Sequence, residues 1–323
     1  MAGSSVEDSV NRRDGHVAVE HKGRVLVLGG DSEEAGFWST EEILIYNSLT
    51  QKWTSRRTTG NRPIEFVYVA ATVMDDTMYV VDLDTSIWSL DLDTYSWGQL
   101  EPIGIGPLRY KGSFYFIFTD IFILIRCDIN AVCWTYGDKV FLFGGTGPAP
   151  TATHKGMLDT LFEFCGDPSN PGCGWSNQLV VYNSLSNRWE WPKYSGQAPS
   201  PRSGHSVSVV GNMAYVFGGW GGDTGKNDLH CLDLVSMKWS LVVPDTVAVD
   251  VPLRRFGQTM TPIHTGSEEG LLLYGGRDSI TTVLGDCWWM DLHQHPHSWV
   301  RCSHLELGPR SDHAAVVLDS QVS

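Results

Sequence analysis

Short apolar and β-branched runs, each closed by turn residues, recur along the chain from residue 17 onward. Val17-Ala18-Val19 is the first, Arg24 to Leu28 the second, Glu42 to Tyr46 the third, and the stretch around Trp53 the fourth. Runs this short, with Gly, Asn, Asp and Ser between them, predict β-strands. The unit opens on Arg13-Asp14-Gly15-His16, and its second strand closes on Gly29-Gly30.

The same frame returns. Arg202-Ser203-Gly204-His205, Gly218-Gly219 and Trp239 repeat it, with the His 13 residues before the first Gly in both units. A pattern held at one offset in separate stretches signals a repeat architecture. A second unit, about 61–106, keeps its close in Asp91 to Trp97 but has Val69 at the His slot and Asp82-Leu83 at the Gly pair. A third, about 107–200, carries Gly144-Gly145 and Trp189. The fourth, about 201–252, is the clearest. A fifth, about 253–308, has Arg255-Phe256-Gly257-Gln258, Gly275-Gly276 and Trp299. Pro309 to His313 and Ala314 to Leu318 then read as the first strand of a sixth. Four short antiparallel strands per unit make the blade of a β-propeller. The expected fold is therefore all-β, with five complete repeats in 12–323 and the opening of a sixth, part of a six-bladed ring, after a disordered start at 1–11.

Two stretches depart from the frame. With Ser113 as its His slot, repeat 3 holds 31 residues before Gly144 rather than 13, an insert of about 114–131. Phe114 to Ile125 is apolar but too short to span a membrane and contains Asp120. The insert reads as a splice- or gene-model-level addition, its rival being a genuine long hairpin or a tongue for a partner. The second stretch, Thr146 to Asn177, is rich in Gly, Pro, Ser and Thr; loops this long are usually functional or disordered.

The formal charge of −14 over 323 residues, with no Lys/Arg-rich block, argues against nucleic acid and anionic membrane as main partners. Met1 to Val10 has neither the basic nor the apolar region of a secretory signal. Seven cysteines without a Cys-x-x-Cys then point to reduced thiols in the cytoplasm or nucleus. Cys165, Cys173 and His154 fit no common zinc spacing, so no metal and no cofactor is expected.

The repeating Arg-x-Gly-His, Gly-Gly and Trp resemble the kelch repeat. Within it, Cys-Gly-Trp-Ser-Asn (173–177), Ala-Pro-Ser-Pro-Arg (198–202), Phe-Gly-Gly (217–219) and Asn-Asp-Leu-His (227–230) are most similar to the kelch-domain-containing substrate receptors of cullin-2 ubiquitin ligases. That resemblance implies a propeller that binds substrate C-termini ending in Gly-Gly, and a following box that contacts elongins B and C and cullin-2. The box is absent from this chain. The two family arginines that hold the carboxylate fall at Trp220 and Gly225, and the pocket Ser and Trp of the fifth repeat at Phe256 and Gly257; Trp175 alone is retained. A Trp cannot supply the paired hydrogen bonds of an arginine fork. The expectation is thus a non-enzymatic protein- or peptide-binding module of such a ligase. The alternatives are a scaffold in another assembly, or a propeller enzyme of the copper-dependent galactose oxidase kind.

A catalytic His is needed once, so His16, His205 and His313 in one repeated slot read as structural. The Gly pairs and Trp53, Trp97, Trp189, Trp239 and Trp299 read likewise. Arg13, Arg202, Arg255 and Arg310 recur as well, with Arg255 retained as a candidate for the binding face. No Gly-x-Ser-x-Gly occurs, and 218–227 lacks the residues a phosphate loop requires. Trp175 and Trp220 lie outside the repeated Trp slot, in loops between second and third strands. Loops on one rim of a rigid scaffold are where binding residues concentrate, and Trp is a favoured anchor. Lys226 and Arg277 complete the candidate peptide-binding set.

Overall fold

The computed structural model describes residues 15–32, 36–37, 41–63, 66, 69–82, 86–108, 114–118, 121–125, 131–158, 160–169, 172–222, 224–248, 250–266, 268–279, 281–303 and 307–318. The start expected to be disordered, 1–11, lies outside these residues, as do Arg13, Arg109, Ser113 and Cys127.

Five blades follow one another along the chain, each an antiparallel sheet ordered first, second, third, fourth strand. Blade 1 is Val17–His21, Arg24–Leu28, Glu42–Asn47 and Lys52–Arg57. Blade 2 is Ala70–Met74, Thr77–Val81, Ile87–Asp91 and Ser96–Leu100. Blade 3 is Val132–Tyr136, Lys139–Phe143, Leu179–Asn183 and Arg188–Glu190. Blade 4 is Ser206–Val210, Met213–Phe217, Leu229–Asp233 and Lys238–Val243. Blade 5 is Thr259–Thr265, Glu268–Tyr274, Cys287–Asp291 and Val300–Arg301. The first strands of successive blades touch, from Val17–His21 through to Thr259–Thr265, and form the inner wall of the ring. This is a kelch-type propeller.

The core lies between blades rather than within them. Leu26, Leu28 and Ile45 of blade 1 pack on Met78, Val80 and Trp97 of blade 2. Val81 and Ile87 meet Val140, Val180 and Trp189 across the next gap. Phe143 and Val181 meet Val216 and Trp239, and Phe217 and Leu229 meet Leu273 and Trp299. In each gap the fourth-strand Trp of one blade lies on the blade before it. Trp239 sits 5.2 Å from Phe143 and Trp299 5.4 Å from Phe217, centroid to centroid. Trp53 has no such neighbour among the described residues; it is half-buried against Tyr46 of its own blade.

The Gly pair has a specific cause. The N–H of its second residue donates to a carbonyl at the entry of the next blade: Gly30 to Phe66 (2.8 Å), Gly145 to Arg202 (2.8 Å), Gly219 to Arg255 (2.8 Å) and Gly276 to Arg310 (2.9 Å). That staple brings the chains too close for a side chain on the first residue. A Cβ on Gly144 would lie 2.6 Å from His205 Cε1 and 2.8 Å from the Arg202 carbonyl oxygen, and its φ is +71°.

The frame of repeat 3 differs from the expected one. Ala131, not Ser113, takes the His slot: it lines a central cavity of about 150 Å³ together with His16, Val69, His205, Gln258 and His313. Within the insert, Phe114–Phe118 and Ile121–Ile125 form an antiparallel hairpin, a separate sheet from those of the blades. The long stretch after Gly145 folds too. Thr146–Pro148, Cys173–Ser176 and Phe164–Gly166 form a three-stranded sheet, with a short helix at Ala152–Lys155. After blade 5 the chain is stapled through Arg310 and brings His313 to the sixth place on the cavity wall. Residues 313–318, expected as the first strand of a sixth repeat, are not in a strand. Cys133, Cys165, Cys173, Cys231, Cys287 and Cys302 are all free thiols. No helix of the described residues is long and apolar enough to cross a membrane.

Candidate functional site

The loops that join second to third strands in blades 4 and 5 are held against the entries of blades 4 and 5. Ser203 and Trp220 exchange both backbone hydrogen bonds (3.0 and 2.8 Å), and so do Phe256 and Arg277 (3.0 and 2.8 Å). Arg255 N–H donates to the Lys226 carbonyl at 2.9 Å, tying the blade 4 loop to the blade 5 entry. Gly257 N–H donates to Gly204 and Asp312 N–H to Gly257, both at 2.8 Å, so the three entries form a continuous belt.

This belt places Trp220 edge-on to Phe256, with centroids 5.4 Å apart and rings at 69°. Both are half-buried. Arg277 lies on the next blade, its Nε donating to Ser311 Oγ at 2.7 Å and lying 3.4 Å from Asp312 Oδ2. Lys226, half-buried, closes the blade 4 loop. Trp220, Lys226 and Arg277 are therefore brought together on one rim. Phe256, Ser311 and Asp312 join them; Phe256 is absent from the candidates read from sequence, although its position just after a recurring Arg marks a blade entry.

Trp175 and Arg255 take other places. Trp175 is on the strand Cys173–Ser176, paired with Thr146 and Cys165, and is 8% exposed. A Cβ on Gly222 would lie 3.0 Å from its ring, so the blade 4 loop covers it. Trp175 supports the rim from beneath. Arg255 does not reach the rim surface, because it is wholly buried. Its two terminal nitrogens reach both Asp286 oxygens at 2.7 and 2.8 Å, with further bonds to the Gly275 and Leu253 carbonyls. Arg202 does the same in blade 4 with Asp228 (2.6 and 2.8 Å), Gly218 and Ser200. The recurring arginine is thus a clamp from the blade entry to the Gly pair and to the Asp before the third strand. Burial works against the Asp228 carboxylate, but hydrogen bonds and charge from Arg202 and His230 outweigh it and hold its pKa well below the usual range. Asp286 is lowered in the same way by Arg255, with Trp288 assisting.

In blade 3 Gln178 stands just before the third strand, where blades 4 and 5 have Asp228 and Asp286. Its Nε2 donates to the Gly144 carbonyl and its Oε1 accepts from Leu108 N–H, at 3.1 and 3.0 Å.

The shared His slot faces the axis. His205 packs edge-on to Phe143 of the preceding blade, and burial followed by the charge of Arg202 pushes its pKa down to about 3. His313 packs on Tyr274 in the same way, its Nε2 3.0 Å from Thr259 Oγ1, and its pKa falls to about 4 through burial and then Arg310. Both rings are neutral at physiological pH. Of the zinc ligands weighed from sequence, His154 has both ring nitrogens engaged, by Thr151 Oγ1 (2.7 Å) and the Gly106 carbonyl (3.3 Å). Among the described residues one His/Asp group, His21, Asp76 and Asp93, has the spacing of metal ligands. The Lys22 ammonium sits on both of its carboxylates, at 2.7 and 3.0 Å.

Comparison with known proteins follows the same lines. Residues 126–323 match the model of the KLHDC2/KLHL20/DRC7 Kelch-repeats domain. The chain is 26% identical to kelch domain-containing protein 2 of Bos taurus over 324 aligned residues, covering 95% of this chain and 73% of that protein. It is 31% identical to kelch domain-containing protein 1 of Homo sapiens over 57% of this chain and 43% of that protein. With host cell factor of Drosophila melanogaster it shares 25% identity over 87% of this chain but only 22% of that much longer protein.

Proposed function

The chain belongs to the KLHDC2/KLHL20/DRC7 Kelch-repeats family, and from that membership we propose that this protein-interaction propeller is the substrate-recognition module of a cullin-RING ubiquitin ligase. It binds a peptide of its client on the rim of blades 4 and 5. The carrying observation is the half-buried Trp220–Phe256 pair beside Arg277 and Lys226. A rigid aromatic anchor on a blade rim suits an extended peptide with an apolar side chain.

The mode of recognition departs from the one the sequence resemblance implies. The positions expected to hold a carboxylate fork are here a Trp and a Gly. Gly225 has little room for anything larger, since a Cβ there would lie 3.2 Å from Arg255 N. Gly257 is closed to a Trp by Asp312 Oδ1, 2.5 Å from where its Cβ would stand. An aromatic contact in place of paired charge-assisted hydrogen bonds favours an apolar side chain over a chain terminus.

Pull-down mass spectrometry tests this, with the protein expressed together with its flanking coding sequence and Trp220→Ala/Phe256→Ala as control. The expected result is recovery of elongins B and C and cullin-2, with clients lost in the double variant while the ligase subunits remain. Clients recovered without ligase subunits would support the scaffold reading instead. Clients unaffected by the double variant would remove the rim from consideration.

A further inference from the structure

Two of the described cysteines oppose each other across the outer half of blade 5. There Trp288 pairs with Arg301 and Trp289 with Val300. One step further along the same register Cys287 faces Cys302, whose N–H donates to the Cys287 carbonyl at 2.9 Å. Directly opposed residues of an antiparallel pair project to one face, with Cα atoms about 5.5 Å apart where they are hydrogen-bonded. A disulfide spans that distance without moving the backbone. The two thiols are already in hydrogen-bond contact, and burial, followed by the charge of Cys302, pushes the Cys287 thiol up to about 12. The other described cysteines pair with different residue types: Cys133 with Leu142, Cys165 with Trp175, Cys173 with Pro148, and Cys231 with Tyr215 and Ser240.

The position of the pair gives it leverage on the blade. Cys302 is half-buried and Cys287 is 2% exposed, so a reagent meets Cys302 first and Cys287 second. The fourth strand of blade 5, Val300–Arg301, has two residues, against six in Lys52–Arg57 of blade 1 and six in Lys238–Val243 of blade 4. Just before it stands Trp299, packed on Phe217 of blade 4. Cys287 follows Asp286, whose carboxylate is gripped by Arg255. A bond between the two sulfurs would therefore tie a short outer strand, and the Trp that seals the gap to blade 4, to the clamped third strand.

We propose that Cys287 and Cys302 are a redox modification site, a dithiol that closes reversibly to a disulfide and fixes the outer strand of blade 5. The oxidant is a low-molecular-weight disulfide of the glutathione class. Cys302, as thiolate, attacks one sulfur of that disulfide; its S–S bond breaks, and the leaving thiolate takes up the proton that Cys302 released. Cys287 then loses its proton and attacks the Cys302 sulfur; the mixed disulfide breaks, and the second small thiol leaves with that proton. Two protein thiols and one small disulfide become one protein disulfide and two small thiols, with two electrons passing from protein to oxidant. Capping Cys302 in the first step removes its charge from beside Cys287, so the resolving thiol ionises more readily in the mixed disulfide than in the reduced chain.

The test equilibrates the whole chain in mixtures of reduced and oxidised glutathione, blocks free thiols with N-ethylmaleimide, and maps it by non-reducing peptide mass spectrometry beside thermal unfolding. The expected product is a Cys287–Cys302 linked peptide that dithiothreitol reverses, with an unfolding temperature several degrees above that of the reduced chain, since the bridge closes the loop from 287 to 302. Cys287→Ser should halt the reaction at its first step, with one glutathione on Cys302 and no rise in unfolding temperature. Cys302→Ser should leave Cys287 reduced. Exposed Cys165 serves as the internal standard for oxidant strength. Cys287 and Cys302 both still free where Cys165 is fully glutathionylated, a bond from Cys302 to any other cysteine, or a bridged chain with an unchanged unfolding temperature would each overturn the proposal.

Discussion

Glycine 144 and glycine 23 have nearly the same backbone conformation, with φ of +71° and +74°, and differ only in what surrounds them. Nothing lies within 4 Å of the point a Cβ on Gly23 would occupy, whereas Gly144 faces His205 and the Arg202 carbonyl of the next blade. The contrast separates conformational cost from inter-blade crowding. Gly23→Ala should cost about 1 kcal/mol, from the left-handed conformation alone. Gly144→Ala should cost about 3 kcal/mol, because the staple between blades 3 and 4 must open as well. Urea unfolding of the two variants measures both; equal losses would mean that the staple does not limit stability. Residue-scale legibility follows from the same geometry. The Gly pairs of blades 1, 3, 4 and 5 are readable in the sequence because the close backbone approach there leaves no room for a side chain. The role of Arg255 is not, because its partner Asp286 lies 31 residues on while the matching Asp228 lies 26 residues after Arg202. Loop lengths alter that offset, so the clamp leaves no fixed spacing, and an arginine at a blade entry looks the same whether it points to solvent or into the sheet.

Each blade carries one Trp in or just before its fourth strand, yet these are not equivalent, because a blade buries its Trp only against the blade before it. Trp239 is 1% exposed on Phe143, while Trp53 stays partly open beside Tyr46. Trp239→Ala should therefore destabilise by about 4 kcal/mol, the cavity cost of a buried aromatic, and Trp53→Ala by about 1 kcal/mol. Thermal unfolding compares the two; similar losses would show that Trp53 is covered in solution. Elements are legible where apolar runs and turn residues alternate, as in blades 1, 4 and 5. The frame of the third blade is not, because Phe114–Phe118 and Ile121–Ile125 have the composition of blade strands yet, among the described residues, pair only with each other. Composition fixes that a segment is a strand, not which sheet receives it. The small sheet built on Thr146–Pro148 is likewise hidden, since its strands are too short to show a period of their own.

At the scale of the ring, the histidine slot converts pH into stability. His205 is buried and keeps a pKa of about 3 in the folded chain, against 6.5 for the ordinary group. Between those values the unfolded chain takes a proton that the folded chain refuses, so stability is full above about pH 6.5 and falls as pH drops. The slope from this residue is about 1.4 kcal/mol per pH unit within the window. His313 acts in the same direction. The clamped Asp228 and Asp286 begin to lose their contribution only as pH falls toward the ordinary carboxylate value of 3.8, so the interval from pH 7 to pH 5 isolates the histidines. The molecule itself indicates the substitution to use. Gln258 takes the same slot in blade 5, where its Nε2 donates to Ser206 Oγ and the Phe217 carbonyl across the gap to blade 4. His205→Gln keeps a polar amide at the axis and removes the titrating group. Urea unfolding at pH 7 and pH 5 should show the variant losing about 2 kcal/mol less than the parent chain over that interval. An unchanged pH dependence would mean that His205 takes up its proton in the folded state, and that the ring opens to water at its axis.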